Sequence, residues 1–237
     1  MTPLAAVLAR RIRQTGPITV AQYMAEALGH PEHGYYRNRD PFGAAGDFTT
    51  APEISQMFGE LIGIWCVVVW QAMGEPSHFS LVELGPGRGT LMADALRAAR
   101  LRPRFREAAR VHLVETSPAL RARQAETLQR AEPDLVPTWH DSLSSVPDGP
   151  LLMIANELFD ALPIHQFEHT AEGWRERVVA LSPQGDRLVF GLAPPGPALA
   201  LLAPAHHAAG VGAIAEVSPA GLALAAEIAR RGIADGG

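Results

Sequence analysis

Three alternating glycines lie in the segment Phe79–Thr90, and they are the residues whose spacing first suggests chemistry. The segment begins as a short apolar run ending in Glu83, continues through Gly85, Gly87 and Gly89, and passes into a helical pattern. A strand, a glycine turn and a helix together bring backbone N–H groups and a helix N-terminus to a ligand. Glycine suits such a turn because it lacks a Cβ and tolerates positive φ. By itself, the pattern is weak evidence for a ligand, because a plain tight turn is the alternative.

The spacing of these glycines discriminates between ligands. A dinucleotide fingerprint, G-x-G-x-x-G, would place its third glycine at position 90, which is Thr90. The third glycine comes one residue early instead, so an NAD-dependent oxidoreductase is disfavoured. The resulting pattern resembles the first motif of class I S-adenosylmethionine methyltransferases. We therefore predict S-adenosyl-L-methionine as the cofactor, with Glu83, Gly85, Gly87 and Gly89 among its binding residues.

The composition excludes several other chemistries. All 20 basic residues are arginine, so the chain lacks the lysine that a P-loop kinase or a Schiff-base enzyme requires. The net charge of −5 gives no bulk attraction for nucleic acid, and no apolar run reaches the length of a membrane span. We therefore predict no nucleic-acid partner and no membrane span. We also predict no metal site, because His30 and His33 lie near each other but have no cysteine or further histidine close by.

Alternating strands and helices follow the glycine turn. Apolar runs precede Glu115 and Asn156, a short predicted strand precedes Asp141, and helical patterns separate the first strands from one another. This alternation predicts a doubly wound, mainly parallel, Rossmann-like α/β sheet. Ligands bind outside the carboxyl ends of such strands. The polar residues that end them should therefore converge: Glu83, Glu115, Asp141, Asn156 and Glu157.

The N-terminal part reads as helices joined by a glycine-rich loop. Asp47, Thr49 and Thr50 could contact a ligand from this loop, although a solvated connector is an equal reading. Thr50 and Glu53 are spaced as a capping box at the start of a helix that runs to about Met73. The periodicity of that helix predicts the following buried residues: Ile54, Met57, Phe58, Leu61, Ile62, Trp65 and Val69.

The C-terminal part departs from simple alternation. Turn residues between 174–181 and 187–192 predict an inserted β-hairpin, and 193–210 reads as a mobile loop. A helix then starts at Pro219. Because the chain ends where a further strand would be expected, we expect the sheet to be incomplete. We predict an N-terminal helical cap, residues 1–75, followed by a cofactor-binding domain, residues 76–237.

Four segments together resemble one family, the MidA-type S-adenosylmethionine-dependent methyltransferases. They are residues 46–60, 82–92, 115–118 and 156–166, of which the first and last are long and distinctive. The mitochondrial members of that family are complex I assembly factors that methylate arginine. The resemblance implies that Gly85, Pro86 and Gly87 face the methionine part of the cofactor.

The same resemblance implies further cofactor contacts. Glu115 would accept hydrogen bonds from the ribose hydroxyls, a role that its position after the second strand independently suggests. Asp141 and Ser142 would lie near the adenine. Asp47, Thr49 and Thr50 would close over the cofactor.

A methyl acceptor with a guanidinium group needs carboxylates that grip it. Glu157 and Asp160 follow the fourth strand three residues apart, so we predict them as the acceptor-binding acids, with Asn156 in support. An alternative is that Asp160 only caps a turn ahead of Pro163. His165 reads as a supporting or surface residue rather than a base.

The function predicted from sequence is methylation of arginine on a protein, such as a respiratory complex I subunit. Methylation of a small molecule, or complex assembly without catalysis, remain alternatives because the cofactor motif does not define the acceptor. A homodimer is possible. The compartment would be the cytoplasm in a bacterium and the mitochondrial matrix in a eukaryote.

Overall fold

A computed structural model describes residues 1–35 and 50–234 of the 237-residue chain. Contacts within the chain divide it into two compact units. One contains the described residues of Met1–Asn38 with Ala161–Leu224, and the other those of Arg39–Asp160 with Ala225–Gly237. The predicted boundary at residue 75 stays a prediction.

The second unit contains a parallel sheet, which we call the parallel unit. Its strands are β2 (Phe79–Leu84), β3 (Ala109–Val114), β4 (Thr138–His140) and β5 (Leu151–Ile154). They are ordered β4-β3-β2-β5, and each neighbouring pair is parallel. The predicted α/β fold with a parallel Rossmann-like sheet is confirmed.

Helices of the parallel unit connect these strands and cover the sheet. They are α3 (Ala51–Ile54), α4 (Gln56–Ala72), α5 (Thr90–Ala99), α6 (Pro103–Ala108) and α7 (Pro118–Ala131). Cys66 of α4 lies in the core with Trp70. Burial raises the pKa of its thiol to about 11, so the thiol stays protonated at neutral pH.

The buried face of α4 differs from the predicted one. Gly59, Gly63, Cys66, Val67 and Trp70 are buried. Phe58, Ile62 and Val69 pack partly against the core, as expected. The prediction is wrong for the following residues, which are more than half exposed: Ile54, Met57, Leu61 and Trp65.

Close packing of α4 on α5 explains this difference. A Cβ added to Gly63 would lie 2.6 Å from Cα of Ala95, and one added to Gly59 would lie 2.6 Å from Cβ of Asp94. The glycines therefore let the two helix backbones approach, and their face is buried in place of the larger apolar residues.

The predicted capping box at Thr50 is also wrong. Thr50 is the N-cap of α3, but its side chain makes no capping hydrogen bond. The helix is interrupted at Ser55, whose backbone is extended, and α4 restarts at Gln56. Glu53 directs its carboxylate to side-chain donors elsewhere in the parallel unit.

The other unit, which we call the antiparallel unit, contains a five-stranded sheet. Its strands are β1 (Ile18–Thr19), β6 (His165–Thr170), β7 (Gly173–Leu181), β8 (Leu188–Ala193) and β9 (Ile214–Val217). The order is β1-β7-β6-β9, with β8 also paired to β7. The hairpin β7–β8 matches the predicted one, whereas β1, β6 and β9 were not predicted.

Helices α1 (Pro3–Thr15) and α2 (Val20–Gly29) belong to the antiparallel unit. Thr19 and Gln22 form a capping box at the N-terminus of α2. The expected mobile loop at 193–210 instead contains two short 3-10 helices, Pro197–Leu201 and Pro204–Ala208. Leu202 between them is buried with Phe167, which anchors the segment.

The last described helix, α8 (Pro219–Ala234), begins after Ser218 as predicted. The Ser218 hydroxyl accepts a hydrogen bond from the Gly221 N–H at 3.0 Å. Within residues 1–35 and 50–234, none of the helices is long and apolar enough to cross a membrane.

Candidate functional site

The carboxyl ends of β2, β3, β4 and β5 lie at one edge of the parallel sheet. Leu84 pairs with Val114, Val114 with His140, and Glu83 with Ile154. The register therefore places the residues after each strand side by side, as the sequence predicted. The glycine turn follows the central strand β2, between Glu115 on one side and Asn156 on the other.

The glycine turn has the backbone that the sequence indicated. Gly85, Gly87 and Gly89 have φ values of 62°, 53° and 80°, which side chains with a Cβ rarely adopt. The Gly89 N–H donates to the Pro86 carbonyl at 2.8 Å, and Gly89 is the N-cap of α5. The turn therefore leads from the centre of the sheet into the N-terminus of a ten-residue helix.

Glu83 lies inside the parallel unit, with only 3% of its surface exposed. The Met92 N–H donates to its carboxyl group, but Oε2 has no hydrogen-bond partner among the residues that the structure describes. Burial raises the pKa of this carboxyl to about 8. Glu83 therefore carries its proton at neutral pH and leaves one buried polar atom for a further partner.

Glu115 follows β3 and directs its carboxylate back toward the first turn of α7. Oε1 accepts from the Ser117 N–H at 2.7 Å, and Oε2 lies 3.4 Å from Nε2 of Gln124. Burial is the largest influence on this carboxyl and raises its pKa, against the lowering effect of these hydrogen bonds. Because its contact with Gln124 is long, Oε2 of Glu115 can accept a further hydrogen bond from a ligand hydroxyl.

Gln124 is a buried connector that sequence reasoning did not assign to the site. Its Nε2 donates to the Gly87 carbonyl at 2.8 Å, and its Oε1 accepts from Nε1 of Trp139 at 2.9 Å. Its amide thus joins the glycine turn, Glu115 and β4. The available signal was a glutamine at helical spacing between Leu120 and Leu128, on the buried stripe of α7.

Asp141 and Ser142 follow β4 at the same edge. Oδ1 of Asp141 accepts from the Arg121 guanidinium at 2.6 Å, although the Asp141 side chain is 86% exposed. Oγ of Ser142 and Oγ of Ser144 lie 2.8 Å apart. Both predicted residues are therefore accessible from solvent beside Glu115.

The segment after β5 contains the predicted acceptor-binding acids. Glu157 has a φ of 50°, a strained value for a residue with a side chain, and it is exposed. Asp160 is exposed in the 3-10 helix Phe159–Ala161. Leu158 points toward the glycine turn, because a Cβ added to Gly85 would lie 2.9 Å from its Cδ1. The turn after β5 is thus packed against the turn after β2.

The predicted N-terminal site residues are Asp47, Thr49 and Thr50, and the structure describes only Thr50 among them. Asp47 and Thr49 lie outside the described residues. Glu53, three residues after Thr50, accepts from the Thr90 hydroxyl at 2.6 Å and from the Arg88 guanidinium at 3.3 Å. The sequence pattern predicts only a helix-capping role for Glu53. In the structure, its carboxylate instead contacts residues that are 35 and 37 positions away in the chain.

These groups fit an adenosyl cofactor of the predicted kind. The positive-φ glycines form a turn without side chains at a helix N-terminus, and Glu115 offers a carboxylate to neighbouring hydroxyls. The orphaned Oε2 of Glu83 is the buried polar atom that a bound polar group or water would satisfy. Within the described part of the chain, no group of three His, Cys, Asp or Glu residues is placed to hold a metal ion.

Comparison with known proteins gives the same identification. A family model described as "Putative S-adenosyl-L-methionine-dependent methyltransferase" matches residues 61–235. The chain is 46% identical over 215 residues to the mouse protein arginine methyltransferase NDUFAF7, mitochondrial, and 45% identical to the human one. Each match covers 82% of this chain and 49% of the relative, so the chain spans about half the length of these relatives.

A solved structure adds direct information on the ligand. A Burkholderia thailandensis protein, crystallised with S-adenosyl-homocysteine, is 30% identical, with a TM-score of 0.82. The match covers 96% of this chain and 59% of that protein. A second crystal structure from the same organism gives a TM-score of 0.77 at 29% identity. The resemblance drawn from the four sequence segments and the cofactor class are confirmed.

Proposed function

The chain belongs to the S-adenosyl-L-methionine-dependent methyltransferase family whose model covers residues 61–235, and from this premise we propose that it methylates arginine on a protein. The named activity of the mouse and human relatives supports the acceptor class. Such a site acts mainly by positioning the two reactants, because methyl transfer is an in-line displacement.

The observation that carries the proposal is the backbone of Glu157. A left-handed conformation costs on the order of 1–3 kcal/mol for a residue with a side chain, and such strain is found most often at functional sites. Here the strained residue is an exposed carboxylate, three residues after the end of β5 and directly before Leu158, which packs against the glycine turn. A carboxylate at this place suits a cationic acceptor.

The residues after β5 bind and orient the methyl acceptor in the proposed reaction. S-adenosylmethionine supplies an electrophilic methyl group on a sulfonium. Glu157 and Asp160 bind the guanidinium of the acceptor through paired N–H donors, which fixes the plane of the group. Fixing the plane aims one nitrogen at the methyl group, and the Asn156 amide orients the same segment from its start. The proton released on transfer passes to solvent, to which both acids are exposed.

The cofactor contacts proposed for this chain follow the strand ends. Gly85, Pro86 and Gly87 face the methionine part, and Glu115 accepts from the ribose hydroxyls. Asp141 and Ser142 approach the adenine. Asp47, Thr49 and Thr50 close over the cofactor from the N-terminal side.

The wider setting is proposed from the same relatives. The protein acceptor is a respiratory-complex subunit, and methylation serves complex I assembly. The proposed compartment is the mitochondrial matrix for a eukaryotic chain, in keeping with the mitochondrial relatives, and the cytoplasm for a bacterial one. We also propose a homodimer, and a division of roles in which residues 1–75 act as a helical cap and residues 76–237 form the cofactor-binding domain, whose core is completed by Cys66, Val67 and Trp70 of the cap segment.

The variant Glu157→Gln tests the acceptor site. It removes the charge that binds the guanidinium and keeps the size of the side chain, so methyl transfer should fall about 100-fold or more. Binding of S-adenosyl-homocysteine, measured by calorimetry, should stay within about twofold of the wild type. Transfer is measured by mass spectrometry on a candidate respiratory-complex subunit, and Glu107→Gln, at an exposed position of α6, is the matched control.

Each other outcome has a distinct meaning. Undiminished transfer by Glu157→Gln would show that the acceptor acids are assigned wrongly. Transfer to a small guanidino compound but to no protein would favour the small-molecule alternative. Cofactor binding and partner binding without any transfer would favour an assembly factor that needs no catalysis.

A further inference from the structure

Glu53 makes two contacts that meet on either side of Gly89. Its Oε1 accepts from the Thr90 hydroxyl at 2.6 Å, and its Oε2 accepts from the Arg88 guanidinium at 3.3 Å. The Glu53 side chain is 14% exposed and that of Arg88 is 23% exposed, so both groups are largely removed from water. A carboxylate with two charge-assisted hydrogen bonds in such a setting is strongly oriented.

The position of these contacts matters because α5 has no cap of its own. Its N-cap is Gly89, which offers no side chain, and the first turn of α5 contains no acidic residue. The N-terminus of a helix carries partial positive charge and unpaired N–H groups. Glu53 therefore brings, from a different helix, a carboxylate to the first turn of α5, which has no acidic residue of its own.

Thr90 occupies the position where a dinucleotide fingerprint would have its third glycine. In this chain the side chain at that position is used, because its hydroxyl is the donor to Glu53. The residue that departs from the dinucleotide pattern, Thr90, is thus the residue that donates to Glu53. Glu53, which precedes the parallel sheet in sequence, is hydrogen-bonded to the residue that follows the last glycine of the turn.

We propose that Glu53 is a positioning residue for cofactor binding, which fixes the turn Gly87–Thr90 in its ligand-binding conformation before the ligand arrives. This inference rests on the proposed function, since it concerns the same cofactor site. A turn of glycines has many accessible conformations, and restricting them beforehand lowers the entropy lost on binding. Glu53 does not need to touch the ligand for this effect.

A matched control exists on the same pair of elements. Glu60 of α4 accepts from Nε and Nη2 of Arg97, both at 3.2 Å, near the other end of α5. Like Glu53, it is a carboxylate of the segment 51–72 that accepts hydrogen bonds from a side chain of α5, here Arg97 and for Glu53 Thr90. Unlike Glu53, it is far along the helix from the glycine turn, so its removal tests the general attachment of α5.

The experiment compares Glu53→Ala, Glu53→Gln and Glu60→Ala in the whole chain. Calorimetry with S-adenosyl-homocysteine should show a Kd raised at least about tenfold in Glu53→Ala, and unchanged within about twofold in Glu60→Ala. Glu53→Gln should lie between the wild type and Glu53→Ala, because its amide oxygen still accepts from Thr90. Thr90→Val added to Glu53→Ala should raise the Kd no further, since the shared contact is already absent.

A second measurement needs no ligand. Backbone amides of Gly87–Leu91 should exchange hydrogen faster in Glu53→Ala than in the wild type or Glu60→Ala. Unchanged exchange, or equal losses of affinity in Glu53→Ala and Glu60→Ala, would overturn the positioning role while leaving the cofactor site intact. Failure of the wild type itself to bind S-adenosyl-homocysteine would overturn the proposed function and this inference together.

Discussion

At the scale of single residues, Glu83 is a carboxyl group whose burial changes the pH at which it loses its proton. Its carboxyl is enclosed at the end of the central strand, and an ionised carboxylate there would be poorly solvated. Burial raises its pKa to about 8, from an ordinary value of 4.5. The folded protein therefore binds a proton at Glu83 under conditions in which the unfolded chain has lost it.

This raised pKa makes the stability of the ligand-free protein depend on pH. A raised folded-state pKa contributes stability that is complete below about 4.5 and is lost as the pH rises through about 8. Glu83→Gln keeps a neutral group at all pH values, so its free energy of unfolding should exceed that of the wild type at pH 9 and approach it at pH 5. Urea unfolding across this range measures the difference.

A control for this prediction is Glu126→Gln, at an exposed position of α7. It should keep the pH slope of the wild type, because Glu126 is not enclosed in the protein. If Glu83→Gln and the wild type lost stability in parallel between pH 5 and pH 9, the buried carboxyl would not be the source of the dependence.

The sequence located the residues that follow strands better than the residues that support them. Glu115 and Asn156 come directly after apolar runs, so a local pattern was enough to place them at the sheet edge. Glu53 and Gln124 reach the glycine turn from 37 residues away in sequence. Such contacts depend on how the helices pack, which local spacing does not determine.

At the scale of elements, α4 shows the limit of hydrophobic periodicity. Apolar residues are distributed around this helix, so several faces satisfy the same spacing rule. The face chosen in the structure is the one with Gly59 and Gly63, where α5 approaches closely. The size of the small residues, and not the hydrophobicity of the large ones, decides which side is buried.

The variant Gly63→Ala tests which face of α4 is buried, because the change in the free energy of unfolding has opposite signs for an exposed and a buried Gly63. On an exposed helix face, Gly63→Ala would stabilise the protein by about 1 kcal/mol through helix propensity. Against the backbone of Ala95, the added methyl should instead cost about 1–3 kcal/mol, because neither backbone can yield easily. Chemical unfolding of the variant gives the sign directly.

The paired variant is Leu61→Ala, on the face that the sequence predicted to be buried. Leu61 is 58% exposed, so its truncation should change the free energy of unfolding by less than about 1 kcal/mol. A loss of about 2–5 kcal/mol, typical of a buried leucine, together with a stabilising Gly63→Ala, would contradict the observed packing of α4.

At the scale of the whole molecule, the two units differ in how much their sequences reveal. The parallel unit follows the chain in order, from a strand to a helix to the next strand, so its architecture could be predicted. The antiparallel unit joins distant segments: Ile18 of β1 pairs with Val179 of β7. The strand β6 has a single fully buried apolar residue, Phe167, between polar neighbours, and its pattern was too weak to identify.

This distribution has a consequence for any division of the chain at residue 75. Such a division would separate α4 from α5, and with it Cys66, Val67 and Trp70 from the core that they share with the sheet. It would also separate β1 from β7. Each loss exposes apolar surface that the remaining part would have to leave in water.

Two fragments therefore provide a test at this scale. Residues 50–237 retain α3, α4 and the Glu53 contacts, whereas residues 76–237 lack all of these. The shorter fragment should lose cooperative unfolding, and limited proteolysis should cleave within β2–α5, while the longer one should protect that region because α4 still covers α5. Equal protection and equal affinity for S-adenosyl-homocysteine in both fragments would show that residues 76–237 form a self-sufficient domain, and that α4 covers a core that is stable without it.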